Sequence, residues 1–331
     1  MQAAGMELVV HYQKLAFMGF VEVLTNLWTI SKKLKQCQQD ILAYKPDVIV
    51  LIDYAGFNMR IATFAKQRGI KVFWYISPKV WAWNQSRALK LKTNVDRMFV
   101  ILPFEKAFFN KFGWDVDYVG NPVMDAVKSH QPDRNFLERN NFKKDVSVVA
   151  LLPGSRKQEL KRMIPLMASV AKKLPNFQFG LATVNNLSEE LYAPLKDLSN
   201  VRFISDATYD LLTNAQAAIV TSGTATLETA LFKVPQVVVY KTSNISYRIG
   251  KMVIRIPFIS LVNLVAEREV VIELIQDGAS EKNTVDEVKQ ILDNSSYRES
   301  ILKGYDEIIK VLDTGSASEN TARLMIDYLQ P

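Results

Sequence analysis

The stretch SVVALLPGSR, residues 147–156, is an apolar run that ends abruptly at Pro153-Gly154-Ser155-Arg156. β-Branched residues and leucines bounded by Pro and Gly read as a buried strand entering a tight turn, and residues 157–174 carry a helical spacing. In a turn between a strand's end and a helix's start, backbone N–H groups point outward with the positive end of the helix dipole behind them. That arrangement suits an anion such as phosphate. Gly154 lets the backbone approach the anion, Ser155 adds a hydroxyl, and Arg156 adds a planar fork of donors. An ordinary strand-to-helix connection with a solvated arginine would use the same residues, so the choice rests on the surrounding chain.

Downstream, apolar runs at 177–182, 201–204, 217–221 and 236–240 alternate with helical spacings at 189–198, 209–214 and 225–232. Upstream, runs at 48–53, 72–76, 98–102 and near Tyr118 alternate with helices at 58–68, 87–94 and 104–112. Continuous apolar strands separated by helices indicate parallel sheets covered on both faces. The fold class is therefore α/β with two Rossmann-like domains, 1–140 and 141–295, and C-terminal helices in 296–331 that pack back on the first domain. The polar, asparagine-rich QPDRNFLERNNFKK, residues 131–144, is the expected linker.

Ligands of such sheets sit beyond the carboxyl ends of the strands, which makes the strand-end residues informative. These are Asp53 in IDYAGFN, Ser77-Pro78 in YISPKVWAW, Pro103-Phe104-Glu105 in LPFEK and Gly120-Asn121-Pro122 in VGNPVMD. Asp53 suits a general base or the cap of the helix that begins near Asn58. Trp81 and Trp83 suit stacking on a base or sugar, or packing beneath a loop. TSGTATLE, residues 221–228, repeats the logic of the opening stretch. Ser222, Gly223 and Thr224 offer a second anion cradle, and Glu228 is placed either to accept from a ribose diol or to favour the helix N-terminus electrostatically. Asn263 lies in an apolar setting where its amide needs partners.

Length and composition narrow the classes. At 331 residues the chain exceeds the ~250–300 at which single cores stop growing, so two domains are expected. One cysteine, Cys37, excludes an internal disulfide or cysteine-based metal cluster and points to a reducing compartment. A net charge of +7 calls for an anionic partner. With no zinc-finger or RNA-binding signature, nucleic acid is not expected. Apolar stretches are broken by charge before the ~18 residues of a spanning helix, and MQAAGMELVVHY is no secretory signal, so a cytoplasmic protein is expected. Residues 15–35 read as a helix apolar around most of its circumference until Lys32, Lys33 and Lys35, suited to burial or to a membrane surface.

The succession AFMGFVEVL, KPDVIVLIDYAGFN, YISPKVWAW, LPFEKAFF, VGNPVMDA, LLPGSR, SGTATLE and SLVNLVAEREVVIELIQ spans essentially the whole chain. In order and spacing it resembles the lipid-A-disaccharide synthase family, nucleotide-sugar glycosyltransferases of GT-B architecture. The resemblance implies transfer from UDP-2,3-diacylglucosamine to 2,3-diacylglucosamine 1-phosphate, releasing UDP, with inversion and with no metal or cofactor. It makes Asp53 the general base and Arg156 the residue that assists departure of the diphosphate. It gives UDP binding to Gly154, Ser155, Arg156, Ser222, Gly223, Thr224, Glu228 and Asn263. Asn58, Ser77, Trp81 and Asn121 fall on the acceptor side. It also implies contact of the 15–35 and 254–264 segments with the inner face of the inner membrane, and it allows a homodimer.

The chain departs from the family pattern in two places. The family's opening strand and glycine-rich GEASGD loop have no counterpart, and residues 1–5 resemble the family's sequence just after that unit, so a truncated chain with exposed inner strand edges is expected. Ala55-Gly56 stands where the family often has Pro-Asp, so no second carboxylate is needed there. The competing readings are another UDP-sugar enzyme of this architecture, an N-acetylglucosaminyltransferase or a 2-epimerase, and an inactive nucleotide-binding scaffold.

Overall fold

The computed structural model of the chain describes residues 4–11, 27–253 and 256–330. Residues 15–26 of the expected apolar helix, and Ile254 and Arg255 of the second expected membrane segment, lie outside the described residues. Two compact units divide the chain, Met1–Val80 with Ser86–Phe99, and Trp81–Gln85 with Val100–Pro331.

The first unit contains α1 (Leu27–Tyr44), β1 (Val48–Ile52), α2 (Ala55–Lys66) and β2 (Lys71–Tyr75). The chain crosses between units at α3 (Val80–Trp83), returns for α4 (Arg87–Asn94), and crosses again at β3 (Arg97–Val100). Strands β1, β2 and β3 are parallel neighbours, with Val50 opposite Phe73 and Trp74 opposite Met98. The aromatic and β-branched residues of KVFWY and RMFV bury Val72, Phe73, Trp74, Met98 and Phe99. In β1 only Leu51 is buried, while Val50 is 44% and Ile52 39% exposed. Asp96 fastens the end of α2 to the start of β2, accepting the Val72 N–H at 2.8 Å and pairing with Lys66.

The second unit continues with α5 (Pro103–Asn110), β4 (Asp117–Tyr118), α6 (Pro122–Ser129), α7 (Phe136–Arg139), β5 (Val148–Leu152), α8 (Lys157–Lys173) and β6 (Gln178–Thr183). The expected 189–198 helix is a 3₁₀ turn followed by α9 (Ala193–Lys196), because Pro194 cannot continue a helix begun upstream. Then come β7 (Val201–Ser205), α10 (Thr208–Asn214), β8 (Ala217–Thr221), α11 (Thr224–Leu231), β9 (Gln236–Tyr240), α12 (Asn244–Val253), α13 (Leu261–Ala266) and β10 (Glu273–Ile275). The chain closes with α14 (Glu281–Asp293), α15 (Ser295–Leu312) and α16 (Ala317–Asp327).

The sheet of this unit is parallel in the order β10-β9-β8-β5-β6-β7. Every residue of β5 and β8 is buried, as the apolar runs VVALL and AAIV require of strands covered on both faces. Gly180 of β6 lets α10 lie close, since a Cβ there would run into Leu211. After β7 the chain returns to place β8 on the other side of β5. The connections after β5 and β8 therefore diverge, and the carboxyl ends of these two strands bound the switch point of the sheet.

The last helices are tied down by polar contacts. Tyr305 of α15 is fully buried and donates to the Val234 carbonyl at 3.2 Å. The first turn of α16 rests on Asp125 of α6, whose carboxylate accepts the Ala317 and Ser318 N–H groups at 3.0 and 2.9 Å. Partial burial pushes the Asp125 carboxyl up, but these hydrogen bonds and those from the Ser318 and Ser316 side chains outweigh it and hold the group below its ordinary value.

Candidate functional site

The turn after β5 has the expected shape. Gly154 adopts φ +96°, in the left-handed region that favours glycine, and a Cβ there would also collide with the Glu159 carboxylate. Arg156, extended at φ −113° and ψ 140°, is the N-cap of α8. Glu159 occupies part of the cradle. Its Oε2 accepts the N–H groups of Ser155 and Arg156 at 3.1 and 3.2 Å, and its Oε1 accepts from Arg156 Nη1 at 3.0 Å. The turn is thus anion-accepting in fact, and its first anion belongs to the chain itself. The sequence signal was present, because a glutamate three residues after an N-cap is the capping-box position. The Arg156 side chain stands 61% exposed beside this arrangement.

The turn after β8 lies alongside. Leu152 is opposite Val220, so the two turns leave strands roughly 4.8 Å apart. Ser222 does not present its hydroxyl proton to the opening, since Oγ donates to the Ile259 carbonyl at 2.8 Å. Gly223 precedes α11, Thr226 Oγ1 returns to the Gly223 carbonyl at 2.8 Å, and Thr224 is exposed on the first turn of the helix. One turn further on, Glu228 is partly buried and accepts a hydrogen bond from Tyr209 at 3.0 Å. Burial pushes the Glu228 carboxyl up from its ordinary value, and the Tyr209 hydrogen bond opposes that rise.

Asn263 is fully buried, and its amide is consumed within the protein. Nδ2 donates to the Val271 carbonyl at 2.8 Å and to Glu273 Oε1 at 3.0 Å, while Oδ1 accepts the N–H groups of Val270 and Val271 at 2.8 and 3.1 Å. Glu273 also receives the Ile259 and Ser260 N–H groups at 2.8 and 2.9 Å. The side chain expected at UDP therefore fixes the 259–273 segment, which in turn holds Ser222 through Ile259.

In the first unit, Asp53 is exposed and sits at φ 44°, followed by Tyr54 at φ 41°. Two successive non-glycine residues in the left-handed region are costly and need local support. Asn58 supplies it, Nδ2 donating to the Ile52 and Asp53 carbonyls at 3.1 and 2.8 Å. The N-cap of α2 is Tyr54 with no side-chain cap, so Asp53 does not cap this helix. Ile76, just before buried Ser77, is likewise left-handed at φ 66°.

Trp81 and Asn121, both in the second unit, are turned inward. Trp81 is 5% exposed, meets Phe104 edge-on at 4.9 Å and donates its indole N–H to buried Glu105 at 3.0 Å. It packs beneath the surface, the second of the two fates its sequence allowed. Asn121 caps α6, accepting the Val123 N–H at 3.0 Å and donating to the Ile101 carbonyl at 3.2 Å.

Comparison with known proteins supplies the remaining observation. The family model for lipid-A-disaccharide synthetase matches residues 1–325. The lipid-A-disaccharide synthase of Geobacter sulfurreducens is 38% identical, over 99% of this chain and 87% of its own. That of Syntrophus aciditrophicus is 39% identical, over 100% of this chain and 88% of its own. Among solved structures, the UDP-GlcNAc 2-epimerase of Neisseria meningitidis bound to UDP-GlcNAc is similar at TM-score 0.64 and 16% identity, covering 94% of this chain and 83% of that one. The spinosyn rhamnosyltransferase SpnG is similar at TM-score 0.55 and 14% identity, covering 90% and 77%. At these identities the structural likeness shows a shared GT-B-like fold.

Proposed function

Because the chain belongs to the lipid-A-disaccharide synthase family, a family of glycosyltransferases that make the lipid A disaccharide, we propose that the residues described above carry that reaction. The donor is UDP-2,3-diacylglucosamine, held by residues 141–295. The acceptor is 2,3-diacylglucosamine 1-phosphate, held by residues 1–140. The observation that carries the donor assignment is the pair of glycine-containing turns, 153–156 and 222–224, leaving adjacent strands at the switch point of the parallel sheet.

A carboxylate accepts the proton of the acceptor's 6-hydroxyl as that oxygen attacks the anomeric carbon, and the bond to UDP breaks on the opposite face with its electrons leaving on the diphosphate. Asp53 is the base. Its exposed carboxylate is carried by a left-handed step that Asn58 holds, and it is not spent on helix capping. Arg156 meets the charge that grows on the departing diphosphate, with the N-termini of α8 and α11 behind it. Glu228 binds the ribose. Asn263 acts on the nucleotide only through the segment it fixes.

The diacylated substrates call for a lipid surface, and the proposed place of work is the inner face of the inner membrane. Among the described residues no helix is long and apolar enough to cross a membrane. On α1, Trp28 is 78% exposed with Lys32 Nζ 5.7 Å above its ring, and α12 exposes Met252 beside Lys251. Aromatic and aliphatic side chains flanked by lysine suit an anionic interface. The test is release of UDP from UDP-2,3-diacylglucosamine on addition of the acceptor. A disaccharide 1-phosphate product formed with UDP is the expected result, and UDP binding without turnover would favour a scaffold.

A further inference from the structure

Tyr209 lies in the first turn of α10, nineteen positions before Glu228, and its phenol donates to Glu228 Oε1 at 3.0 Å. The ring is confined on two sides. His130 meets it edge-on, with centroids 5.6 Å apart and planes at 86°, and Phe232 lies 4.9 Å away at 53°. His130 is 5.8 Å from Phe232, so the three rings close on one another. His130 Nε2 stands 3.3 Å from Asp210 Oδ1 without a hydrogen bond between them, and that oxygen accepts the Asp133 N–H at 2.8 Å. A phenol held this way has one place to put its hydrogen.

The consequence falls on Glu228. With Oε1 engaged, the carboxylate cannot rotate freely, and Oε2, which accepts no hydrogen bond from the described residues, is the oxygen offered to an outside donor. Burial and the adjacent Glu228 push the Tyr209 phenol up, so it remains a donor throughout the neutral range. A carboxylate fixed before the ligand arrives loses less rotational freedom on binding and discriminates better between a hydroxyl and its absence.

We propose that Tyr209 is a positioning residue for nucleotide selection: it fixes Glu228 so that Oε2 reads the ribose diol, and the site thereby selects ribonucleotides over their 2′,3′-dideoxy counterparts. This rests on Glu228 being the ribose partner. The experiment is calorimetric titration of the full chain with UDP and with 2′,3′-dideoxy-UDP, for the wild type, Tyr209→Phe and Glu228→Ala. Tyr209→Phe keeps the ring between His130 and Phe232, and melting temperatures check that each variant is folded.

The wild type is expected to prefer UDP by about 10-fold or more, as suits a hydrogen bond to a charged acceptor. Tyr209→Phe is expected to shrink that preference to about 3-fold or less while its affinity for the dideoxy nucleotide stays unchanged. Equal weakening of both nucleotides, with the preference kept, would mean that Tyr209 is only structural and would overturn the proposal. A wild type with no preference, or a Glu228→Ala variant that keeps it, would instead defeat the ribose assignment. Failure of the wild type to bind either nucleotide would defeat the UDP reading beneath both.

Discussion

The side-chain amide of Asn58 donates to the backbone carbonyl of Asp53 at 2.8 Å, and so holds a residue at φ 44° at the carboxyl end of β1. Removing that amide in Asn58→Ala lets the left-handed step relax and moves the Asp53 carboxylate. A shift of about 1 Å at a reacting group costs on the order of 10²-fold in rate. The expected outcome is a fall in kcat of about 10- to 100-fold with the fold retained, measured by UDP release alongside thermal melting.

Asp53→Asn removes the proposed base while preserving size and backbone. Loss of a general base lowers kcat by about 10²- to 10⁴-fold. KM for both substrates should change little. Full rate in this variant would transfer the role to another group.

Arg156 and Glu159 separate charge stabilisation from helix capping. Arg156→Ala should lower kcat by about 10²- to 10³-fold, the usual loss when a donor to a developing anion is removed. Glu159→Ala should cost about 1 kcal/mol of stability, because the Ser155 and Arg156 N–H groups lose their cap. Steady-state kinetics on the first variant and urea unfolding of the second check the pair.

Asn263→Ala leaves the buried N–H groups of Val270 and Val271 without their acceptor. Each stranded buried polar group costs about 1–3 kcal/mol. A large drop in melting temperature is expected, with the loss of activity following the loss of folded protein. A stable variant with only a raised KM for the UDP-sugar would show direct contact instead.

Asp125 gives a pH signature. Its carboxyl is held below its ordinary value in the fold, so its contribution is fully present above the unfolded Asp value of ~3.9 and is lost as pH falls through the lowered folded value. Melting temperature should fall with decreasing pH below ~4 more steeply in the wild type than in Asp125→Asn.

The sequence by itself determined the local elements. VVALL is apolar at every position and short, with valines at its start, which suits a strand covered on both faces, and Pro153-Gly154 ends it whatever lies nearby. The alternation of such runs with helices dictated parallel sheets, and eight ordered motifs carried the family. Even the Glu159 cap was legible, because its partners are three and four residues away. Tertiary structure alone decided which strand ends meet and what the buried polar groups do. Nothing in local spacing places β8 beside β5, Tyr209 against Glu228, Trp81 on Glu105, or four hydrogen bonds around Asn263. Periodicity encodes which face of an element is apolar. It does not encode which distant element covers that face, and a buried polar side chain takes its partners from that second choice.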